Sequence, residues 1–479
     1  MPPPVTTTFI GSILSVVPLP AAPTVASLCY HTWTFSSSRT EIMPSHPDTL
    51  VRELLDEITL WPIFDPHSHI DAHRPAARDL DEVLGYHYYT ELAHASGMPA
   101  ELVGPEVNRK TRAQHLSRHL DRLDNTVQYS WLAQIAETFY QHKGPINPDT
   151  IDALYDSADH AHDGPKWDEQ VWKTSNLEAV FLTNDFDDPL EGWDTSRYVP
   201  CLRTDDMVLK LHLPETVNRL KKATDIDVQD DKSLRMAIGA LFGHFVNRGA
   251  RACAISLPPD FVPLPGAPKR AVTPLRRALH GMELRPDEHD EIRRHVFWTL
   301  AEFCSEYSLP FDLMIGPIRG VYPAGVSGGR DLFDRRVSLH DYRHLFNHFS
   351  NVMFPVSTLS PDAGAELVAY SWIFPNVVPM GHWWYSNIPA FIAPDLKARL
   401  QALPKTKPIG YYSDAYKLEF VLPKFTMYRR LLAETLADDA IRARGLSQDA
   451  ALRIARHVLI DNPKRIFSRN GAKPVSVEG

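Results

Sequence analysis

His67 and His69 stand two residues apart in the segment Phe64-Asp65-Pro66-His67-Ser68-His69-Ile70-Asp71. If this segment ends a β-strand, its side chains alternate between faces and the two imidazoles point the same way. Two imidazoles on one face can hold a divalent metal ion. A carboxylate as third protein ligand would leave positions open for water or substrate, as catalysis requires. Asp414 ends a second strand-like run, Ile409-Gly410-Tyr411-Tyr412-Ser413-Asp414. Taken alone, the histidine pair also suits two polar residues at a strand end, and Asp414 also suits a helix N-cap. The choice depends on whether the fold brings the two segments together.

Eight short segments are apolar or β-branched and bounded by Pro, Gly or Asp: 62–66, 178–183, 198–202, 250–256, 311–315, 351–356, 376–380 and 408–412. They read as buried strands. Helical periodicity fills most of the gaps, for example over 230–248, 287–307 and 361–373. Strands alternating with helices imply parallel pairing through crossovers, and eight such units imply a (β/α)₈ barrel rather than an open sheet. A closed barrel sets its eighth strand beside its first, so Asp414 can face His67 and His69. Residues 80–175 break the alternation and read as a helical insertion after strand 1. A second helical stretch closes the chain, with 417–443 and 447–460 both amphipathic.

Composition sets outer bounds. The chain has 479 residues, 44% hydrophobic and 23% charged, which excludes wholesale disorder and allows a large core. A net charge of −9 argues against nucleic-acid binding through general electrostatics. Cys29, Cys201, Cys253 and Cys304 form no CxxC pair, so neither a disulfide framework nor a zinc ribbon is indicated and a reducing, cytoplasmic location is expected. Residues 1–38 contain no Lys, Arg, Asp or Glu. Their apolar run is far short of the ~20 residues that span a bilayer, and no basic stretch precedes it. Residues 1–42 therefore read as a disordered extension or a start assigned too early, with Met43 opening the barrel region 43–479. Beyond it no apolar run is long enough for a membrane helix.

These motifs, in this order, resemble the amidohydrolase superfamily and, within it, the uronate isomerase (glucuronate isomerase) family. The superfamily carries the HxH at the end of strand one and an Asp at the end of strand eight. The family's Gly-x-His-Tyr is similar to Gly85-Tyr86-His87-Tyr88. Its Ser-Asn-Val-Glu strand and Thr-Thr-Asp-Asp-Pro loop resemble Ser175-Asn176-Leu177-Glu178 and Thr183-Asn184-Asp185-Phe186-Asp187-Asp188-Pro189. Its Pro-x-x-Arg-x-Asp resembles Pro200-Cys201-Leu202-Arg203-Thr204-Asp205, and its Ile-Gly-x-x-Arg resembles Ile315-Gly316-Pro317-Ile318-Arg319. His382-Trp383-Trp384-Tyr385 and Asn462-Pro463-Lys464-Arg465-Ile466-Phe467 complete the set, which covers about residues 50–468. Two features depart from the pattern. The family's last strand reads Thr-Asp-Ser-Arg, whereas here Ser413-Asp414-Ala415-Tyr416 lacks the arginine and Lys417 stands one residue late. The family's Asp-His pair is also missing from the strand Arg248–Ser256. The chain is thus a divergent member.

The resemblance implies aldose–ketose isomerisation of a hexuronate, glucuronate to fructuronate or galacturonate to tagaturonate. It implies one divalent metal, zinc or alternatively manganese, on His67, His69 and Asp414. Asp414, His87 and Tyr88 become the acid–base and hydroxyl groups. Arg203 and Arg319 become carboxylate binders, with Trp383, Trp384 and His382 as further substrate contacts. Asp185 and Asp188 are rim hydrogen-bonders or loop caps. The partner is a small sugar acid, with neither nucleic acid nor membrane, and self-association is common among such barrels. Three rival readings use the same barrel: a metal-dependent hydrolase, a non-oxidative decarboxylase and a catalytically inactive binding protein. Against the hydrolase, strands five and six bring no histidine to their ends.

Overall fold

The computed structural model describes residues 48–159, 164–265 and 268–468. The N-terminal segment 1–42 lies outside the described residues. Strand β1, Ile63–Asp65, is buried throughout and pairs in parallel with β2, Leu177–Phe181. The second stave resumes at Asn184–Asp185. The third, β3, is split into Tyr198–Val199 and Leu202–Arg203. The split falls at Pro200, which has no N–H to donate. The ladder still runs through it: Leu182 N donates to Val199 O at 2.9 Å and Asn184 N to Cys201 O at 3.0 Å. Strands β4 (Cys253–Leu257), β5 (Phe311–Ile315), β6 (Phe354–Thr358) and β7 (Val377–Pro379) follow, each parallel to the last.

Closure rests on fewer main-chain bonds. Ile409 bridges Met380 in parallel. Farther along the same stave, β8 (residues 409–415), Asp414 N donates to His67 O at 3.2 Å and His69 N to Ala415 O at 2.8 Å. Between these, the Asp65 carboxylate takes the place of a ladder partner and accepts from Ser413 N at 2.8 Å. The fold is a closed (β/α)₈ barrel. β5 and β6 are buried at every position, as expected of parallel strands covered on both faces.

Helix α1, Thr49–Thr59, is capped by the Asp48 carboxylate and turns Leu54 and Ile58 inward. Between β1 and β2 the chain builds α2 (Leu80–Leu84), α3 (His87–Ala95), α4 (Arg109–Ser117), α5 (Val127–Tyr140), α6 (Ile151–Asp159) and α7 (Gly164–Thr174). Asp79, Asn108 and Thr126 cap α2, α4 and α5. The later helix Val421–Thr435 packs against both α1 and α5, fastening the inserted helices to the end of the barrel sequence. Two elements depart from the sequence reading. Pro268–Leu279 is helical although Pro274 lies inside it, and a two-strand antiparallel ribbon, Pro317–Ile318 with Leu332–Phe333, follows β5. Two-residue strands are too short to show any periodicity.

Candidate metal centre

His67 and His69 leave the C-terminal end of β1, and Asp414 leaves that of β8. One ligand atom from each lies within 4.8 Å of the others. His67 Nε2 is 3.6 Å and His69 Nε2 3.3 Å from Asp414 Oδ1. His67 Nε2 and Asp414 Oδ1 are buried and have no hydrogen-bond partner. Buried polar atoms left unpaired are costly, and these point at a common space. A divalent cation satisfies all three atoms at once, so the donor set fits a metal.

The groups behind the imidazoles fix their tautomers. Thr183 Oγ1 donates to Ser68 O at 3.1 Å and lies 2.7 Å from His69 Nδ1. A hydroxyl has one proton to give, so here it accepts from Nδ1–H and leaves the Nε2 lone pair free. His67 Nδ1 lies 3.5 Å from Asp312 Oδ2 and is set the same way. Burial pulls His67 down, but hydrogen bonding to Asp312 and the charges of Asp312, Asp414 and Asp65 outweigh it and hold it above its ordinary pKa. For His69, burial wins over the pull of Asp414 and the pKa falls. Asp414 itself has φ +53°, a left-handed conformation that non-glycine residues rarely adopt and that concentrates at functional sites.

A second layer faces this trio. His87 and Tyr88 open α3. Burial lowers the His87 pKa to about 4, so its imidazole is neutral at pH 7. The ring of Tyr416 stacks on His69 at 5.0 Å and meets His87 edge-on at 5.8 Å. Tyr88 is buried with its hydroxyl unpaired. Gly328 brings a loop onto His87: its φ is +83°, and a Cβ there would sit 3.0 Å from His87 Cβ. A cavity of about 510 Å³ is lined by His87 and Tyr416 with Arg109, Gly328 and Lys417, and by none of His67, His69, Asp414, Arg203 and Arg319. That volume suits a small-molecule ligand.

The remaining expected residues divide. Arg203 is part-exposed, with Nε 3.3 Å from Asp205, and Arg319 is exposed, with Nη1 2.7 Å from Asp331. Tyr416 is 45% exposed, and the charges of both arginines favour its ionised form while that of Asp414 opposes it. Trp383 and Trp384 are both buried in the core, and Trp384, with φ +48°, meets His87 edge-on at 6.0 Å. His382 Nε2 lies 2.6 Å from Asp395, which also pairs with Arg399 at 2.8 Å, so that nitrogen serves an ion-pair network on the helix Pro389–Ala402. Asp185 is exposed and joins Asp187 around Arg219, while Asp188 accepts from Leu190 N and Asn184 Nδ2 as a loop brace.

The model of the family described as glucuronate isomerase matches residues 48–467. The chain belongs to this family. A uronate isomerase of Thermotoga neapolitana is 22% identical over 437 residues, which cover 86% of this chain and 96% of that protein. A uronate isomerase of Nostoc punctiforme is 21% identical over 455 residues, covering 87% and 95%. Among solved structures, the Thermotoga maritima uronate isomerase superposes with a TM-score of 0.81 at 20% identity, covering 88% of this chain and 97% of that one. The Caulobacter crescentus glucuronate isomerase gives 0.81 at 16% identity, covering 91% and 97%. These structural likenesses establish the fold.

Within this glucuronate isomerase family member, three contacts escaped the sequence reading as site features. Thr183 was visible only as part of a motif. Asp312 was visible as a lone carboxylate in the otherwise apolar Phe311–Ile315, a signal for a buried charge with a purpose. Tyr416 occupies the position of the missing family arginine and packs on His69.

Proposed function

We propose that this chain catalyses aldose–ketose isomerisation of a hexuronate, taking glucuronate to fructuronate or galacturonate to tagaturonate. The observation that carries the reading is the convergence of His67, His69 and Asp414 on one point, beside a neutral His87, in a member of this family. The reaction moves one proton from C2 to C1 through an enediol, and hydroxyl protons redistribute between O1 and O2. Nothing is added or lost.

Arg203 and Arg319 grip the substrate carboxylate, for which a guanidinium offers paired donors. His87, uncharged at neutral pH, takes the C2 proton, exchanges it with solvent, and delivers a proton at C1. Tyr88 donates its unpaired hydroxyl to a sugar oxygen, and Trp384 packs against the ring. Asp414 relays the hydroxyl proton. His67, His69 and Asp414 would hold a divalent metal, zinc by the character of two imidazoles and a carboxylate with manganese as the alternative, and it would supply Lewis acidity. No described helix is long and apolar enough to cross a membrane.

The test is incubation of metal-loaded protein with glucuronate and with galacturonate in deuterium oxide, followed by proton NMR. Ketose formation with deuterium entering at C1, abolished in His69→Ala and Asp414→Ala, is the expected result. A metal-loaded protein giving neither ketose nor exchange with either sugar would overturn the reading.

A further inference from the structure

Lys424, on the helix Val421–Thr435, is completely buried. Its Nζ donates to Ser413 O at 2.8 Å and to Tyr86 Oη at 2.9 Å. The rings of Tyr86, Tyr88 and Trp131 enclose it, with centroids 4.9, 5.2 and 5.2 Å away. Both hydrogen-bond partners are neutral oxygens. Placing an ammonium in such a pocket is unfavourable, and the charges of Asp414 and Asp65 offset only part of that cost.

The backbone of residues 413–415 shows what the ammonium does there. Ser413 N donates to Asp65 Oδ1, and Ser413 O accepts from Lys424. Asp414 N donates to His67 O, and Asp414 O accepts from Tyr86 Oη at 3.1 Å. Ala415 N donates to Ser413 Oγ, and Ala415 O accepts from His69 N. Every main-chain donor and acceptor of the three residues is thereby used. Two consecutive carbonyls, those of Ser413 and Asp414, are served by Lys424 and by the tyrosine hydroxyl that Lys424 itself holds. Between them sits the left-handed Asp414. The strain of one such residue is of the size of a single lost buried hydrogen bond. The conformation therefore depends on these partners.

We propose that Lys424 is a positioning residue for the metal centre, holding Asp414 through Ser413 O and Tyr86 Oη in the left-handed conformation from which its carboxylate meets both histidines. This rests on the reading of His67, His69 and Asp414 as metal ligands. Without Lys424, Ser413 O faces apolar rings and Tyr86 Oη loses the donor that holds it against Asp414 O, residue 414 relaxes toward negative φ, and the carboxylate swings off the imidazoles.

The test uses Lys424→Met, close in length and apolar, and Tyr86→Phe, which removes one hydroxyl. Zinc dissociation constants are measured by chelator competition, beside thermal unfolding of the metal-free proteins and crystal structures of both variants. Lys424→Met should weaken zinc binding about 10–100-fold, the range for groups that orient metal ligands, with Tyr86→Phe moving in the same direction. In both crystal structures residue 414 should leave positive φ. A purely structural role would lower melting temperature while zinc binding stays within threefold of the parent and φ stays positive, and that result overturns the proposal. Tyr86→Phe carries the same test if Lys424→Met does not fold. If the parent binds no zinc, the ligand reading fails separately, and the conformation of residue 414 still decides whether Lys424 positions it.

Discussion

The ring of Tyr416 lies nearly parallel to that of His69, with centroids 5.0 Å apart and planes inclined by 23°. It covers one face of a metal-ligand candidate at the place where related chains carry arginine. Tyr416→Ala should uncover the stacked face of His69, already part-exposed, and raise KM for the uronate about 3–10-fold, the range expected for a lost aromatic contact. Tyr416→Phe keeps the ring and should change KM less than threefold. Steady-state kinetics on both, with metal content checked, separates stacking from a role for the hydroxyl.

Thr183 acts through a proton. Its hydroxyl fixes the tautomer of His69 from 2.7 Å away. Thr183→Val keeps the shape and removes the acceptor, so Nε2 loses its guaranteed lone pair. Zinc affinity should fall about tenfold, read by chelator competition, with little change in thermal stability of the metal-free protein.

His87 links stability to pH. Its folded pKa lies near 4 against the ordinary 6.5. Between those values the unfolded chain binds the extra proton, so this contribution is complete above pH 6.5 and is lost as pH falls through 4. At pH 5 the loss amounts to about 2 kcal/mol. Urea unfolding at pH 7.5 and pH 5 should show the parent losing about 2 kcal/mol more than His87→Asn; equal losses would mean the imidazole is not buried neutral.

Gly381 sits between β7 and the helix Pro389–Ala402. Its φ is +41°, and a Cβ there would lie 2.2 Å from the Tyr412 ring. Tyr412 is fully buried and its ring is 5.1 Å from His67. Gly381→Ala should cost about 2–3 kcal/mol, by overpacking and by the positive φ together, measurable as a lower urea midpoint. Displacement of Tyr412 should also loosen zinc at His67.

The barrel was legible because its strands are short apolar runs with sharp ends. Phe311–Ile315 was read to the residue. His67 and His69 were legible because a strand repeats every two residues, and Asp414 because closure must bring the last stave to the first. The orienting groups were not legible. Thr183 lies 114 residues from His69 in sequence, and no local pattern pairs them. Trp383 and Trp384 were indistinguishable as neighbours, since the left-handed turn at Trp384 decides which one meets His87. The eighth stave reads in sequence as an ordinary strand, but Asp65 and Ser413 replace part of its ladder with a side-chain bond that composition does not announce.

The last stave also sets a time order. Asp65 and Ser413 are 348 residues apart, so the histidines leave the ribosome long before their carboxylate partner exists. At roughly 5–20 residues per second, the nascent chain carries an incomplete centre for on the order of 20–70 s. Barrel closure and the meeting of His67, His69 and Asp414 are one event, so the three donors come together only after the last stave has been made.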